Sequence, residues 1–421
     1  MTREMPSAAI VISGNELLDG RVCESNGRYV SADLSDRGVK VMSVVTVADD
    51  PSRLTAALRS ALATEPDLLV VGGGLGTTHD DLTAFCLAEA LGVPLEEDAV
   101  ALAMLADSLR DVAERRGTTV QDLLPQARRQ ARLPSGGAPL PPAGVAPGIA
   151  ARHGHTRVFA FPGVPHEFMA MWRQVAAELA AEDFFPEVVA RVVRIFGCGE
   201  PSVAAVLEAA SRDLLETSIT VGGGEVTVKL RHLSTTRPAA QADAVVAALE
   251  RALPVFSTDG RTIDDMIADL LGAGGESLAV AESCTGGALG GRITALPGSS
   301  AYFRGGVIGY ADEVKEGILA VPSDDLRRYG AVSTTVAAAM AEGVRRLCGA
   351  SYGLSVTGVA GPGGAAPEKP VGLVYVGCSG PRGTRVCRDR FPGDRAAVRG
   401  QAATRALHLL REDIVSGSPR G

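Results

Sequence analysis

Lysine is scarce in this 421-residue chain. Of its 41 basic residues only four are lysine: Lys40, Lys229, Lys315 and Lys369. Arginine does the ordinary surface work, so a retained lysine stands out as the basic side chain that readily releases its proton. A basic excess is missing too. The net charge of −8 argues against a general nucleic-acid binder, whose basic face must displace counterions, while local fields still admit a small anionic ligand. No C-x-x-C pair occurs among the seven cysteines at 23, 86, 198, 284, 348, 378 and 387. That odd set reads as free thiols in a reducing compartment, not as a disulfide framework or a zinc site. No apolar run approaches the roughly 18 residues of a membrane span. The run Ala8–Ser13 is too short for the apolar part of a signal peptide. The expected location is cytoplasmic.

Length suggests two or three domains. Residues 8–13, 41–47 and 67–72 are strand-like and rich in Val and Ile, and 26–38 and 51–64 carry helical spacing between them. This β-α-β-α-β alternation predicts a parallel sheet covered by helices. A third helix is expected from Asp81 to Leu91, closed by Gly92. Residues 134–149, rich in Pro, Gly and Ala, read as loop, and Thr156–Phe161 as a strand. A smaller unit reads strand 188–196, helix 201–215, strand 225–232, helix 238–252, with a turn at Gly222-Gly223-Gly224. Beyond it come helix 262–272, strands 277–282, 302–310, 352–357, 371–378 and 384–391, a helix from an N-capping Ser333 to Cys348, and a last helix from Asp394 to about Glu412.

The last third gathers chemistry at strand ends. Ala281-Glu282-Ser283-Cys284-Thr285-Gly286-Gly287 is followed by Pro297-Gly298-Ser299-Ser300, by Tyr310 and by Lys315. Val356-Thr357-Gly358-Val359-Ala360-Gly361-Pro362-Gly363-Gly364, Glu368-Lys369-Pro370-Val371-Gly372 and Phe391-Pro392-Gly393-Asp394-Arg395 complete the series. An amide hydrolase needs a nucleophile, a base, oxyanion donors and a grip on its substrate. Ser299 and Ser300 sit on a turn that can expose a hydroxyl. No histidine lies between Leu233 and Leu407, so Lys315 and Tyr310 are the available bases, as in a Ser-Lys variant of triad logic. Gly286, Gly361 and Gly363 belong to turns that can aim N–H groups at an oxyanion. Thr357 can hold the amide. Arg395 opens a helix, a poor place for a positive charge unless a phosphate sits there as well. Ser283 and Thr285 are either substrate contacts or helix caps.

Residues 260–412 resemble the C-terminal domain of the CinA (competence/damage-inducible) family through AESCTGG, PGSSAYF, GAVS, VTGVAGPGG, EKPVG and FPGDR, in that order. The resemblance implies a nicotinamide-mononucleotide deamidase that yields nicotinate mononucleotide and ammonia without a metal. Its functional positions fall on Ser300, Tyr310, Lys315, Thr357 and Arg395. One departure is Asp312, where the family usually carries Asn; it sets a carboxylate three residues from Lys315.

Near the N-terminus, Gly72-Gly73-Gly74-Leu75-Gly76-Thr77-Thr78-His79-Asp80-Asp81 follows a strand and opens a helix. Such a loop can form an anion-binding nest beside a helix dipole. Asp80 and Asp81 can cap that helix or hold a divalent cation beside a phosphate. Ser13-Gly14-Asn15-Glu16, Asn26, Asp49-Asp50 and Phe161-Pro162-Gly163-Val164-Pro165-His166-Glu167 join the set. It resembles the molybdopterin-binding (MoaB/MogA-like) fold at the front of CinA proteins, over residues 6–172, with Thr77 where Pro is common. A nucleotide site is implied on Asn15, Glu16, Asn26, Gly73, Gly74, Gly76, Thr78, Asp81, Gly163, Pro165 and Glu167. The resemblance also implies ADP-ribose pyrophosphatase activity that needs a divalent cation.

The expected fold class is therefore α/β. A molybdopterin-binding-like three-layer α/β domain (1–172) precedes a small α+β connecting domain (173–257) and a three-layer α/β deamidase domain (258–421). The partners implied are phosphorylated small molecules (nicotinamide mononucleotide and ADP-ribose) and a second copy in a homodimer, with no nucleic acid or membrane. Two rival readings are a pterin-binding or adenylylating N-terminal domain and a non-enzymatic role in DNA uptake or repair.

Overall fold

Ser7–Ser13 form the first strand, β1, and its residues from Ala8 onward are buried on both faces, as the middle of a parallel sheet requires. The computed structural model describes residues 5–210, 216–233 and 239–417. The chain divides into two compact units, Met1–Ala190 with Arg231–Ala239, and Arg191–Leu230 with Ala240–Gly421.

In the first unit β1 is followed by α1 (Asn15–Leu18), α2 (Asn26–Asp36), β2 (Lys40–Val47), α3 (Pro51–Leu62), β3 (Leu68–Gly72), α4 (Thr83–Leu91) and β4 (Leu95–Glu97). Then come α5 (Ala99–Arg116), α6 (Val120–Ala127), β5 (Arg132–Pro134), β6 (Ala138–Leu140), β7 (Gly148–His153), β8 (Thr156–Phe161) and α7 (Pro165–Ala181). The main sheet runs β2-β1-β3-β8-β7-β6, with its first four strands parallel. Ala9, Val11, Leu69 and Val71 pack beneath residues of α3, α4 and α5. Ala8, Ile10, Leu68 and Val70 meet α2 and α7, including Trp172. Three layers result.

Helices α5 and α6 fall in a stretch for which the sequence suggests no element, although their ends carry readable signals. Asp98 caps α5 through Ala101 N–H and Gly117 closes it in the left-handed region, while Thr119 and Asp122 form a capping box on α6. The expected loop 134–149 is a correction. It contains β6 and the start of β7, because the β7–β8 hairpin gives this Pro- and Gly-rich segment a ladder to join.

The second unit starts with β9 (Val188–Phe196), α8 (Glu200–Ala210), β10 (Glu216–Gly222), β11 (Glu225–Leu233), α9 (Ala239–Ala252) and β12 (Val255–Ser257). These make a sheet ordered β10-β11-β9-β12. The turn expected at Gly222-Gly223-Gly224 joins β10 to β11, with positive φ at Gly223 and Gly224. Residues 211–215 of the expected helix 201–215, and residue 238 of the next, lie outside the described residues.

There follow α10 (Ile263–Gly274), β13 (Leu278–Glu282), α11 (Ala288–Thr294), β14 (Phe303–Ile308), α12 (Asp312–Gly317), α13 (Ser323–Tyr329) and α14 (Thr334–Cys348). The chain continues with β15 (Tyr352–Gly358), β16 (Leu373–Gly380), β17 (Gly383–Arg390) and α15 (Arg395–Gly417). The order is β14-β13-β15-β16-β17. Strands β14, β13 and β15 are parallel, and β16 and β17 are antiparallel additions. Leu278 and Val280 face α10 and α15; Ala279 and Ala281 face Leu319, Val321 and α14. This is again a three-layer α/β arrangement. Ser333 caps α14 through Val336 N–H and Gly349 closes it, as the sequence suggests.

Candidate active sites at two sheet edges

In the N-terminal domain, strand order reverses direction between β1 and β3, and ligands of open α/β sheets bind beyond the carboxyl ends at such a point. A cavity of about 690 Å³ lies there. Gly73 has φ +96, and a Cβ on it would run into the Ser13 carbonyl. Thr83 Oγ1 donates to Gly73 O at 2.7 Å, and Asn26 Nδ2 donates to Gly163 O at 2.8 Å. Ser13, Asn26, Gly73, Gly74, Gly76, Thr78, Gly163, Pro165 and Glu167 all line the cavity, as do Glu16, Asp49, Asp80 and Asp81. Asn15 does not line it. Its N–H donates to Asp49 at 3.0 Å and its Oδ1 accepts from Asp49 N–H at 3.2 Å, which locks the two loops together.

Buried Asn26 Oδ1 and Ser13 Oγ have no hydrogen-bond partner among the described residues. Desolvation in a cavity makes such atoms costly unless a ligand pairs them. Burial raises the Asp49 pKa; the hydrogen bond from the Asn15 N–H opposes this, and the charges of Glu16 and Asp80 add to it. Asp81 accepts from Thr78 N–H at 2.7 Å and from its hydroxyl at 2.5 Å, so it braces the glycine loop. Arg129 holds the same loop by donating to Asp81 O at 2.7 Å and to Thr78 O. His79 is exposed. No group of three or more candidate metal-ligating side chains occurs among the described residues. Mg²⁺ is commonly bound by one or two carboxylates plus substrate phosphates; of the carboxylates lining this cavity, burial raises the Asp49 pKa and hydrogen bonding lowers that of Asp80.

In the C-terminal domain the carboxyl ends of β13, β14 and β15 form one edge. Ser283 and Thr285 follow β13, Tyr310 and Lys315 follow β14, Thr357 ends β15, and Arg395 opens α15. Arg395 reaches across them: Nη2 donates to Tyr310 Oη at 3.1 Å and Nη1 to Gly361 O at 2.8 Å. Lys315 is 1% exposed. Its Nζ donates to Tyr310 O at 3.1 Å and to the Asp312 carboxylate at 3.0 Å, so the residue that departs from the family pattern is the lysine's ion-pair partner. Thr357 is wholly buried and gives its hydroxyl to Ala331 O at 2.8 Å, bracing the loop before α14. Gly286 and Gly361 have positive φ. Gly363 lies in the exposed loop after β15.

Two residues at this edge escape a reading by residue type. Glu282, in the AESCTGG run, is buried and accepts N–H groups from Gly287 at 3.0 Å, Leu289 at 3.0 Å and Gly290 at 2.8 Å. It occupies the start of α11 and fixes the Ser283–Gly287 turn. Arg399, one turn after Arg395, donates to Thr285 O at 2.6 Å. The Thr285 hydroxyl is buried and unpartnered among the described residues. Burial pushes the Cys284 thiol up to about 11, with the nearby Arg395 and Arg399 opposing only in part, so this cysteine stays a thiol at neutral pH.

Ser300 is not brought to this edge within one chain. It sits in a single 3-10 turn before β14, exposed, at the amino end of the strand whose carboxyl end leads to Tyr310. Six strand residues at about 3.3 Å each hold the two apart by roughly 20 Å.

The family model described as CinA C-terminal domain matches residues 260–414, and that described as Probable molybdopterin binding domain matches residues 9–182. A CinA-like protein of Mycobacterium sp. (strain JLS) is 39% identical over 420 residues, covering 97% of this chain and 99% of its own. One from Myxococcus xanthus is 40% identical over 421 residues, covering 97% and 98%. The chain belongs to the CinA-like family, with a MoaB/MogA-like N-terminal domain. Among solved structures, a CinA superfamily protein from Klebsiella pneumoniae is 32% identical, with TM-score 0.36, and covers 37% of this chain and 99% of its own. The molybdopterin biosynthesis enzyme MoaB from Thermus is 20% identical, with TM-score 0.29, covering 42% and 94%.

Proposed function

We propose that the C-terminal domain hydrolyses the carboxamide of nicotinamide mononucleotide to nicotinate mononucleotide and ammonia. The observation that carries this reading is the meeting of Tyr310, Lys315 and Arg395 at one sheet edge, where Arg395 also holds the Gly361 carbonyl. Arg395, exposed in the first turn of α15, grips the phosphate. A hydroxyl attacks the amide carbon and gives its proton to the neutral, unprotonated form of the Lys315 amine, which Asp312 holds in place; the resulting ammonium then delivers that proton to the departing ammonia as the C–N bond breaks. Water hydrolyses the resulting ester to the acid. Backbone N–H groups of the glycine loop after β15, at Gly363 and Gly364, stabilise the oxyanion. The raised pKa of Cys284 supports a hydroxyl rather than a thiol as nucleophile. Formation of nicotinate mononucleotide in EDTA, followed by chromatography, tests the reading; unchanged substrate with a well-folded chain contradicts it.

For the N-terminal domain we propose cleavage of the ADP-ribose diphosphate. The glycine loop and the start of α4 would hold the diphosphate, and Asp80 with Asp49 a divalent cation. That ion would supply charge neutralisation of the phosphates when bound; the loop residues orient them. The match to a molybdopterin-binding domain favours a second reading, retention of a pterin-type ligand without turnover. Phosphate-ester products from ADP-ribose distinguish the two.

A further inference from the structure

The glycine loop of the N-terminal domain keeps its carbonyls paired and its N–H groups free. Gly73 O accepts from the Thr83 hydroxyl at 2.7 Å and Gly74 O from the Thr83 N–H at 3.0 Å. Leu75 O accepts from Gln130 Nε2 at 2.9 Å. Thr78 O and Asp81 O accept from the two terminal nitrogens of Arg129. The N–H groups of Gly74, Leu75, Gly76 and Thr77 donate to no oxygen among the described residues, and these four residues line the cavity. Successive N–H groups presented in this way form a nest for an oxyanion. Its glycines are fixed by close packing: a Cβ on Gly74 would stand 2.4 Å from Thr83 Oγ1, and one on Gly76 2.5 Å from Asp81 Oδ2.

Gln130 and Arg129 come from one place, the 3-10 turn Arg128–Ala131 that follows α6. We propose that these two side chains are positioning residues of the N-terminal site: by holding the Leu75, Thr78 and Asp81 carbonyls they orient the free N–H groups of the loop and so set its affinity for the diphosphate of a substrate. This rests on the diphosphate reading of the domain and names the residues that shape its anion site. A trans peptide unit is planar, and its C=O and N–H point in opposite directions. A bond that fixes the Leu75 carbonyl therefore aims the Gly76 N–H, and the two Thr83 bonds aim those of Gly74 and Leu75. Arg129 ties down Thr78 and Asp81, where the loop leads into α4. Such preorganisation lowers the ordering cost of binding. Gln130 is half-buried, and its Oε1 is buried without a partner among the described residues. An apolar side chain would avoid that cost, so the contribution of this amide is the bond it donates. Arg129 is exposed; water replaces part of what it supplies, and its effect is the smaller of the two.

Binding of inorganic pyrophosphate with Mg²⁺ to the full-length chain, followed by isothermal titration, tests this. Thermal melts run alongside, and ADP-ribose cleavage is measured separately. Gln130→Met nearly keeps the volume and removes the donor. It should weaken pyrophosphate binding by about tenfold with little change in Tm. Arg129→Met should weaken binding about threefold to fivefold. Arg129→Lys keeps the charge but cannot fork across two carbonyls, so it should behave like Arg129→Met. Wild-type affinity in Gln130→Met overturns the positioning role, and full recovery in Arg129→Lys overturns it for Arg129 by reducing that residue to a charge. A weakening of Gln130→Met that only tracks a lowered Tm assigns the residue to stability and overturns the role as well. With ADP-ribose as substrate, KM should rise in the same proportion as the pyrophosphate Kd while kcat changes less; a loss confined to kcat contradicts the proposal. Wild type that binds pyrophosphate but leaves ADP-ribose intact contradicts the cleavage reading instead, and the binding comparison alone then decides. Wild type that binds no pyrophosphate overturns the nest and the positioning role with it.

Discussion

Arg395 donates a hydrogen bond to the Tyr310 hydroxyl at 3.1 Å, joining the start of the last helix to the end of β14 across 85 residues of sequence. Its other nitrogen holds the Gly361 carbonyl. The guanidinium is thus fixed over the sheet edge while staying exposed, as a phosphate ligand requires. Arg395→Ala should raise KM for nicotinamide mononucleotide by roughly tenfold to a hundredfold, with little effect on its phosphate-free riboside. Steady-state kinetics on both substrates check this. Equal losses on the two would remove phosphate recognition from Arg395.

Glu282 binds three backbone N–H groups at the start of α11. Truncation leaves one buried and two half-buried N–H groups without their acceptor, at a cost of about 2 kcal/mol. Glu282→Ala should lower Tm by roughly 4 °C or more and impair deamidation by loosening the Ser283–Gly287 turn. Glu282→Gln, which keeps an acceptor, should lie between. A melt of Glu282→Ala that coincides with wild type would show that the turn holds itself.

His408 of α15 is buried against Phe196 and Phe256, and its Nε2 meets Glu225 at 2.7 Å. Burial lowers its pKa from 6.5; Glu225 opposes the shift, and Arg411 and Arg405 add to it. The folded chain therefore binds fewer protons here than the unfolded chain. This contribution to stability is complete above about pH 6.5 and is lost as pH falls from there through the lowered folded value. Thermal melts of wild type and His408→Gln at pH 7.5 and pH 5.0 should show a larger acid-induced drop in Tm for wild type. Parallel drops would place the acid sensitivity elsewhere.

Asp80 and Asp81 should separate by role. Asp81 is bonded to Thr78, so Asp81→Ala should lower thermal stability of the N-terminal domain by about 1 kcal/mol. Asp80, exposed at the cavity mouth, should leave the melt unchanged on replacement by Asn while weakening metal-dependent ADP-ribose cleavage about tenfold or more. Melts and metal titrations of both variants check the division; unchanged metal dependence in Asp80→Asn would put the cation on other ligands.

Much of this architecture was legible in sequence because strand periodicity and punctuation agree. Val and Ile alternate with capped helices, and Ser333, Gly92 and Gly349 mark ends that the structure keeps. Motif residues following β13, β14 and β15 come to one edge because parallel strands share a direction. Spacing alone concealed Ser300, since ten residues from Tyr310 can mean one loop or the length of a strand. Residue type likewise hid the duties of Thr357 and Asp81, which depend on partners 26 residues away at Ala331 and three away at Thr78. The segment 134–149 follows its hairpin neighbours rather than its own propensities, because sheet pairing outweighs weak local preference.

The most direct test of the C-terminal site is ammonia release from nicotinamide mononucleotide in EDTA by wild type and by Lys315→Met, with both shown to be folded by thermal melting. The account predicts release by wild type and a loss of about a hundredfold or more in kcat for the variant. Near-normal turnover by Lys315→Met would contradict the assignment of Lys315 as the base.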